Sequence, residues 1–199
     1  MTHFFVGVDL GQRRDHTAIA VVEQSRGELL VRFLMRVPLG TPYPIVVDLV
    51  REVTAHEQLA GRCVAVVDAT GVGAPVVEML RAEGPACDIS SVTITGGEKE
   101  SGGARYGGGH YNVPKRDLIA SVQLPVERGE LRIAKGLRER EALVEELVDV
   151  RKTARESGRD RVGAERVGEH DDLVIALALA CWKGRRPVKV NSFGKVRLF

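Results

Sequence analysis

The chain lacks several features that would each have named a function. No apolar stretch reaches the ~20 residues that a bilayer crossing requires, and no basic region precedes the short apolar run at the start. A membrane protein is therefore not expected, nor a secretory leader, and the expected compartment is the cytoplasm. Cysteine is scarce and unpaired: Cys63, Cys87 and Cys181 are an odd count without metal-ligand spacing. Two of them lie in apolar runs, so they read as reduced core thiols rather than a disulfide framework or a zinc site. No G-x-x-x-x-G-K-[ST] occurs in the 199 residues, which excludes a P-loop ATPase in this chain. Charge of one sign is also missing in bulk. The 29 basic and 27 acidic side chains leave a net +2, so total charge gives no pull toward nucleic acid. Charge is uneven only at the end, where no acid follows Asp172 but Lys183, Arg185, Arg186, Lys189, Lys195 and Arg197 do. No internal repeat is visible.

What is present starts with composition. A chain 44% hydrophobic and 28% charged can build one domain with a sizeable core. The expected boundary is a domain over residues 1–184, followed by a basic tail over 185–199. Its most informative stretch is Phe4-Phe5-Val6-Gly7-Val8-Asp9-Leu10-Gly11. Apolar residues on both sides of the pleat mark a strand covered on both faces. Such a strand has no packing use for an acid, yet this one ends in Asp9. Cys63-Val64-Ala65-Val66-Val67-Asp68 repeats the pattern and ends in Asp68.

Along the chain, residues 17–24 and 28–37 read as strands joined by the Ser25-Arg26-Gly27 turn, completing an antiparallel meander with the first strand. Residues 38–44 break the chain, and 45–59 carry helical periodicity. After the strand ending at Asp68, a Gly71-Val72-Gly73 turn leads into a helix over 74–82, and 88–95 is a fifth strand. The GVG is too short for a dinucleotide fingerprint; close strand-to-helix packing accounts for it. Seven glycines between residues 96 and 109 predict a mobile loop. Residues 114–128 read as a helix, 130–134 as a short strand, 137–154 as an amphipathic helix with a charged outer face, and 159–167 as an edge strand. The last helix, 171–183, is apolar all round from Leu173 to Trp182, so it is buried. This order resembles the ribonuclease H-like fold: α/β, a mixed central sheet of a three-strand meander plus parallel strands, flanked by helices. In that fold the first and fourth strands are central parallel neighbours, which would bring Asp9 and Asp68 together.

A third acidic element, Glu169-His170-Asp171-Asp172, opens the buried helix. Carboxylates converging at one sheet edge repel unless a cation lies between them. Hard oxygen donors suit Mg2+ or Mn2+, and two such ions can activate water and stabilise the leaving oxygen of a phosphodiester. Each residue also has a plainer reading. Asp9, Asp68 and Asp15 fit turn positions; Asp171 or Asp172 fits a helix cap or first turn; His170 fits a cap or the surface. The coincidence of three acidic elements favours the metal site, with Asp172 ahead of Asp171 as ligand and Asp15 and His170 as weaker neighbours. Lys115, Arg105 and Lys99 are candidate DNA contacts; surface solvation suits Lys115 at least as well, and a disordered connector is the plainer reading of the glycine loop that carries Lys99 and Arg105.

VGVDLGQRRDHTAIAVVE, VVDATGVGAPVVEML, the segments YNVPKRDLI and ERGELRIA, and GEHDDLVIALALA resemble the nuclease domain of phage terminase large subunits. The resemblance implies metal-dependent cleavage of double-stranded DNA during genome packaging, with Asp9, Asp68, Asp171 and Asp172 as ligands. It further implies an ATPase domain, portal and small terminase as partners in the full machine. The ATPase domain is absent from this chain, so the expectation is an excised domain or a split gene product. Three rivals stand beside it. A Holliday-junction resolvase would share the carboxylates and prefer branched DNA. A sugar-kinase or actin-like ATPase would share VGVDLG but needs two such domains. A DNA or portal adaptor would carry the carboxylates inertly.

Overall fold

A computed structural model describes residues 3–11, 15–71, 73–105, 108–157 and 171–186. The meander is present as β1 (His3–Asp9), β2 (Ala18–Ser25) and β3 (Glu28–Arg36), antiparallel in sequence order. Helix α1 (Tyr43–Ala55) follows, then β4 (Cys63–Asp68), α2 (Gly73–Ala82) and β5 (Asp88–Thr95). The remaining elements are β6 (Ser101–Arg105), β7 (Gly108–Pro114), α3 (Lys115–Glu127), β8 (Leu131–Ile133), α4 (Arg140–Ser157) and α5 (Asp172–Gly184). One sheet contains all the strands among the described residues, in the order β6-β7-β5-β4-β1-β2-β3-β8. β1 lies parallel to β4 as the fold resemblance implies, and β4, β5 and β7 continue the parallel half.

Two apolar layers explain why β1 is hydrophobic on both sides of its pleat. Phe4, Val6 and Val8 join Val46, Val47 and Val50 of α1 and Val76, Val77 and Leu80 of α2 on one face. Phe5 joins the other layer, with α3, α4 and the whole of α5. All residues from Asp172 to Trp182 are buried, so the helix that is apolar all round occupies the centre of that layer. It lies very close to the sheet. A Cβ on Gly7 would stand 1.9 Å from the Ala176 carbonyl oxygen, so this position takes glycine because a backbone passes there, not because a turn needs it.

The sequence expectations differ from the structure in the glycine-rich segment and at helix boundaries, where α1 ends at Ala55 rather than at residue 59 and α4 runs Arg140–Ser157 rather than 137–154. Residues 101–105 and 108–114 are not a mobile loop but an antiparallel pair at the sheet edge, and β7 also pairs parallel with β5. Glycine count outweighed the alternation that follows it: Tyr111 and Val113 are buried in the α5 layer, which draws the segment into the sheet. Helix α1 starts at Tyr43 rather than at residue 45, because Pro44 sits in its first turn, where a missing N–H costs nothing. The proposed edge strand over 159–167, His170, and the tail beyond Arg186 lie outside the described residues. All three cysteines are free thiols. Among the described residues no helix is long and apolar enough to cross a membrane.

Candidate metal-binding edge

Val8 of β1 pairs with Val67 of β4. One step further, Asp9 and Asp68 stand on neighbouring strands, whose backbones run about 5 Å apart. Pleat parity sends both side chains to the same face. Phe5 and Val66 belong to the layer covered by α5, and Asp9 and Asp68 lie an even number of residues beyond them. Helix α5 runs antiparallel to β1: Gly184 lies against Phe5, and Ala176 against Gly7. Its first turn therefore arrives over the carboxyl end of β1. Asp172 is 4% exposed there. Asp171 occupies the cap position without a side-chain capping bond. Its Oδ2 instead receives the Lys115 Nζ at 2.7 Å.

Electrostatics show how strongly these groups act on one another. Loss of hydration pushes the Asp9 carboxyl well above the ordinary carboxylate range, and the charges of Asp68, Asp172 and Asp171 push it further; only Lys115 opposes them. Burial raises Asp68 as well, against the Thr70 hydroxyl, the Thr70 amide and Lys115, which lower it. The turn reading of Asp68 also holds. Its Oδ1 accepts from Thr70 N at 2.8 Å and from Thr70 Oγ1 at 2.6 Å, and the same hydroxyl accepts from Ile94 N at 2.9 Å. Gly73 permits this tight corner, since a Cβ there would stand 2.1 Å from the Asp68 carbonyl oxygen.

The remaining sequence candidates fall elsewhere. Asp15 is exposed on the bend between β1 and β2, and Lys99 is exposed on the bend before β6. Arg105 ends β6, with its side chain outside the described residues. Lys115, expected at DNA phosphate, sits in the acidic group itself. Sequence reasoning missed Glu146 of α4, which is 6% exposed and ion-paired with Arg36. Burial pushes its carboxyl up to about 7, against the Val174 amide and Arg36, with the Asp172 charge adding to the rise. A signal was available: Leu143, Leu147 and Val150 form the buried stripe of α4, and Glu146 stands in that stripe at helical spacing.

Can this group take a divalent cation? The donors are all carboxylate oxygen, drawn from three separate segments, and carry a negative excess that one ammonium partly offsets. Lys115 already acts as a cation among them, lowering both Asp9 and Asp68. Hard ions such as Mg2+ and Mn2+ match that chemistry. Among the described residues no three acidic, histidine or cysteine side chains yet converge on one ion position, so an ion would have to draw the carboxylates inward.

The sequence model of the terminase RNaseH-like domain matches residues 6–183. The chain belongs to that family. Solved structures agree in fold. The large terminase nuclease from thermophilic phage G20c with bound magnesium is 22% identical, with a TM-score of 0.58 over 90% of this chain and 80% of that one. The human cytomegalovirus terminase nuclease domain, manganese-soaked, is 13% identical, with a TM-score of 0.55 over 92% and 84%. The Thermus phage P74-26 large terminase nuclease domain is 19% identical, with a TM-score of 0.53 over 90% and 78%. No curated protein matches the chain. For this terminase RNaseH-like domain the candidate metal-binding edge thus lies where β1, β4 and α5 meet.

The raised carboxyls give a pH dependence. A carboxyl whose folded value lies above its unfolded value stabilises the fold below the unfolded value, and that stability is lost as pH rises through the folded value. Asp9, Asp68 and Glu146 all shift upward, and for Glu146 the window runs from 4.5 to about 7. Without divalent ions, thermal melts should therefore show a higher Tm at pH 5 than at pH 8. A Tm that climbs steadily from pH 5 to pH 8 in EDTA would contradict the burial of these groups.

Proposed function

We propose that this domain is a metal-dependent endonuclease that hydrolyses phosphodiester bonds of double-stranded DNA, as the nuclease part of a packaging terminase. What supports the reading is that Asp9 and Asp68 end neighbouring parallel strands beneath the first turn of α5, near enough for the charges of Asp68, Asp172 and Asp171 to raise the Asp9 carboxyl. The magnesium-bound and manganese-soaked terminase nucleases of like fold support a divalent ion at this edge. Asp9, Asp68 and Asp172 are the proposed main ligands and Asp171 a lesser one, since Asp171 is already paired with Lys115. Two bound ions of Mg2+ or Mn2+ would supply the Lewis acidity that phosphodiester hydrolysis needs.

The chain's own residues do the rest. β1 and β4 hold two carboxylates at the same level on adjacent strands, and the buried helix α5 brings a third to that edge. Lys115 offsets part of their charge, and it would be free to contact DNA phosphate if a divalent ion took over that role. Lys99 and Arg105 are proposed as further phosphate contacts. Full activity in packaging would use an ATPase domain, portal and small terminase in the host cytoplasm.

Plasmid relaxation tests the reading. Supercoiled DNA incubated with the domain and Mn2+ or Mg2+ should be nicked and then linearised, and EDTA should abolish both. Equal cleavage in EDTA would end the metal mechanism. A folded domain that leaves plasmid intact in either metal would favour an inert adaptor, and a strong preference for branched DNA would favour a resolvase.

A further inference from the structure

A second ionic group lies directly behind the carboxylate edge. Arg36 ends β3 on the rung that carries Asp9, with Ala18 of β2 between them. The Arg36 Nη2 meets Glu146 Oε1 of α4. The other oxygen, Glu146 Oε2, accepts from the Val174 backbone N–H at 2.9 Å. Val174 stands in the first turn of α5, two residues beyond Asp172, where helix N–H groups lack partners of their own. One carboxylate thus ties together β3, α4 and the beginning of α5.

Packing alone does not call for an acid here. The neighbours of Glu146 in the α4 stripe are Leu143, Leu147 and Val150. A leucine would fill the same place without the several kcal/mol that burying a charged group costs. What a leucine lacks is an acceptor for the Val174 amide, at a helix end whose dipole favours a negative charge.

We propose that Glu146, clamped by Arg36, is a positioning residue that anchors the first turn of α5 through the Val174 amide and so fixes where Asp172 meets the metal. This rests on the metal-dependent reading above. Outer groups that orient metal ligands are commonly worth 10- to 100-fold in metal affinity.

The probe is Mn2+ alone, titrated calorimetrically into the intact chain and its variants, with circular dichroism to confirm folding. Glu146→Ala removes the acceptor and should weaken Mn2+ binding about 10- to 100-fold. Glu146→Gln keeps an amide oxygen for Val174 and should bind within about threefold of the parent, because the acceptor rather than the charge sets the position of α5. Equal losses in Ala and Gln would assign the effect to charge and overturn the proposal, as would a folded Glu146→Ala with parental affinity. If Glu146→Ala does not fold, Arg36→Met replaces it, and parental Mn2+ affinity in that variant overturns the proposal. Asp172→Asn calibrates the assay. If the parent and Asp172→Asn bind Mn2+ alike, the ligand assignment itself has failed, a result distinct from a responsive Asp172 beside an indifferent Glu146.

Discussion

Asp68→Asn should fold, melt higher than the parent in EDTA, and lose DNA cleavage by on the order of a thousandfold, the scale of removing one electrostatic stabiliser from an active site. The folded state should survive because the substitution spares the turn. Asparagine retains an Oδ1 to accept from the Thr70 amide and hydroxyl, the contacts that close the corner after β4. Thr70 in turn still accepts from Ile94, which keeps that corner docked on β5. What disappears is one negative charge from a group in which Asp68 is the first charge raising Asp9. Relief of that repulsion should lift the metal-free Tm by about 2–4 °C, the shift that ~1 kcal/mol makes in a domain of this size. Adding Mn2+ should then stabilise the variant less than the parent, since a ligand has been lost. Parental cleavage rates in Asp68→Asn would mean that Asp68 serves only the turn.

Gly7→Ala should be severely damaging for a change of a single methyl group. Its new Cβ would stand 1.9 Å from the Ala176 carbonyl oxygen and 2.9 Å from the Ala180 nitrogen. Both are backbone atoms of the central helix, so no rotamer change relieves the contact. Helix α5 would have to move off β1, opening the layer in which Leu173, Leu177 and Leu179 are fully buried. A loss above ~4 kcal/mol is expected, which puts it among the exceptional point substitutions. The same movement lifts Asp172 away from Asp9, so any folded remainder should cleave poorly. Gly136→Ala is the matched control. A Cβ there meets nothing within 4 Å, and its effect should stay within about 0.5 kcal/mol. A Gly7→Ala protein melting within about 2 °C of the parent would show that α5 does not lie against β1.

The readable parts of this fold were those in which one physical signal acted alone. β1 and β4 are continuous apolar runs, so both their strand character and their central position followed from hydrophobicity. The terminal acids were conspicuous because a doubly covered strand has no other use for them. Helix α5 was marked as buried by its unbroken apolar surface. The glycine segment misled because two signals conflicted: local composition favoured a loop, whereas pairing with β5 and burial of Tyr111 and Val113 made it β6 and β7. Lys115 is ambiguous in the sequence for a related reason. A lysine beside a proline on the surface has many uses, and only its 2.7 Å approach to Asp171 distinguishes one of them.

The sequence by itself determined which residues could form a carboxylate edge, because hydrophobic periodicity sets strand and helix ends locally and the acids sit at those ends. That Asp9 and Asp68 share the face covered by the buried helix followed only from the packed layers, because β1 is apolar on both sides of its pleat. The tertiary structure alone decided what surrounds them. Arg36 and Glu146 are 110 residues apart, and Glu146 and Val174 are 28 apart. No local pattern encodes such contacts, since they exist only after β3, α4 and α5 have packed. Burial then sets the energetics. The same glutamate on the outer face of α4 would be an ordinary solvated acid, whereas behind Asp172 it is desolvated, ion-paired and bound to the helix that carries the proposed metal ligand.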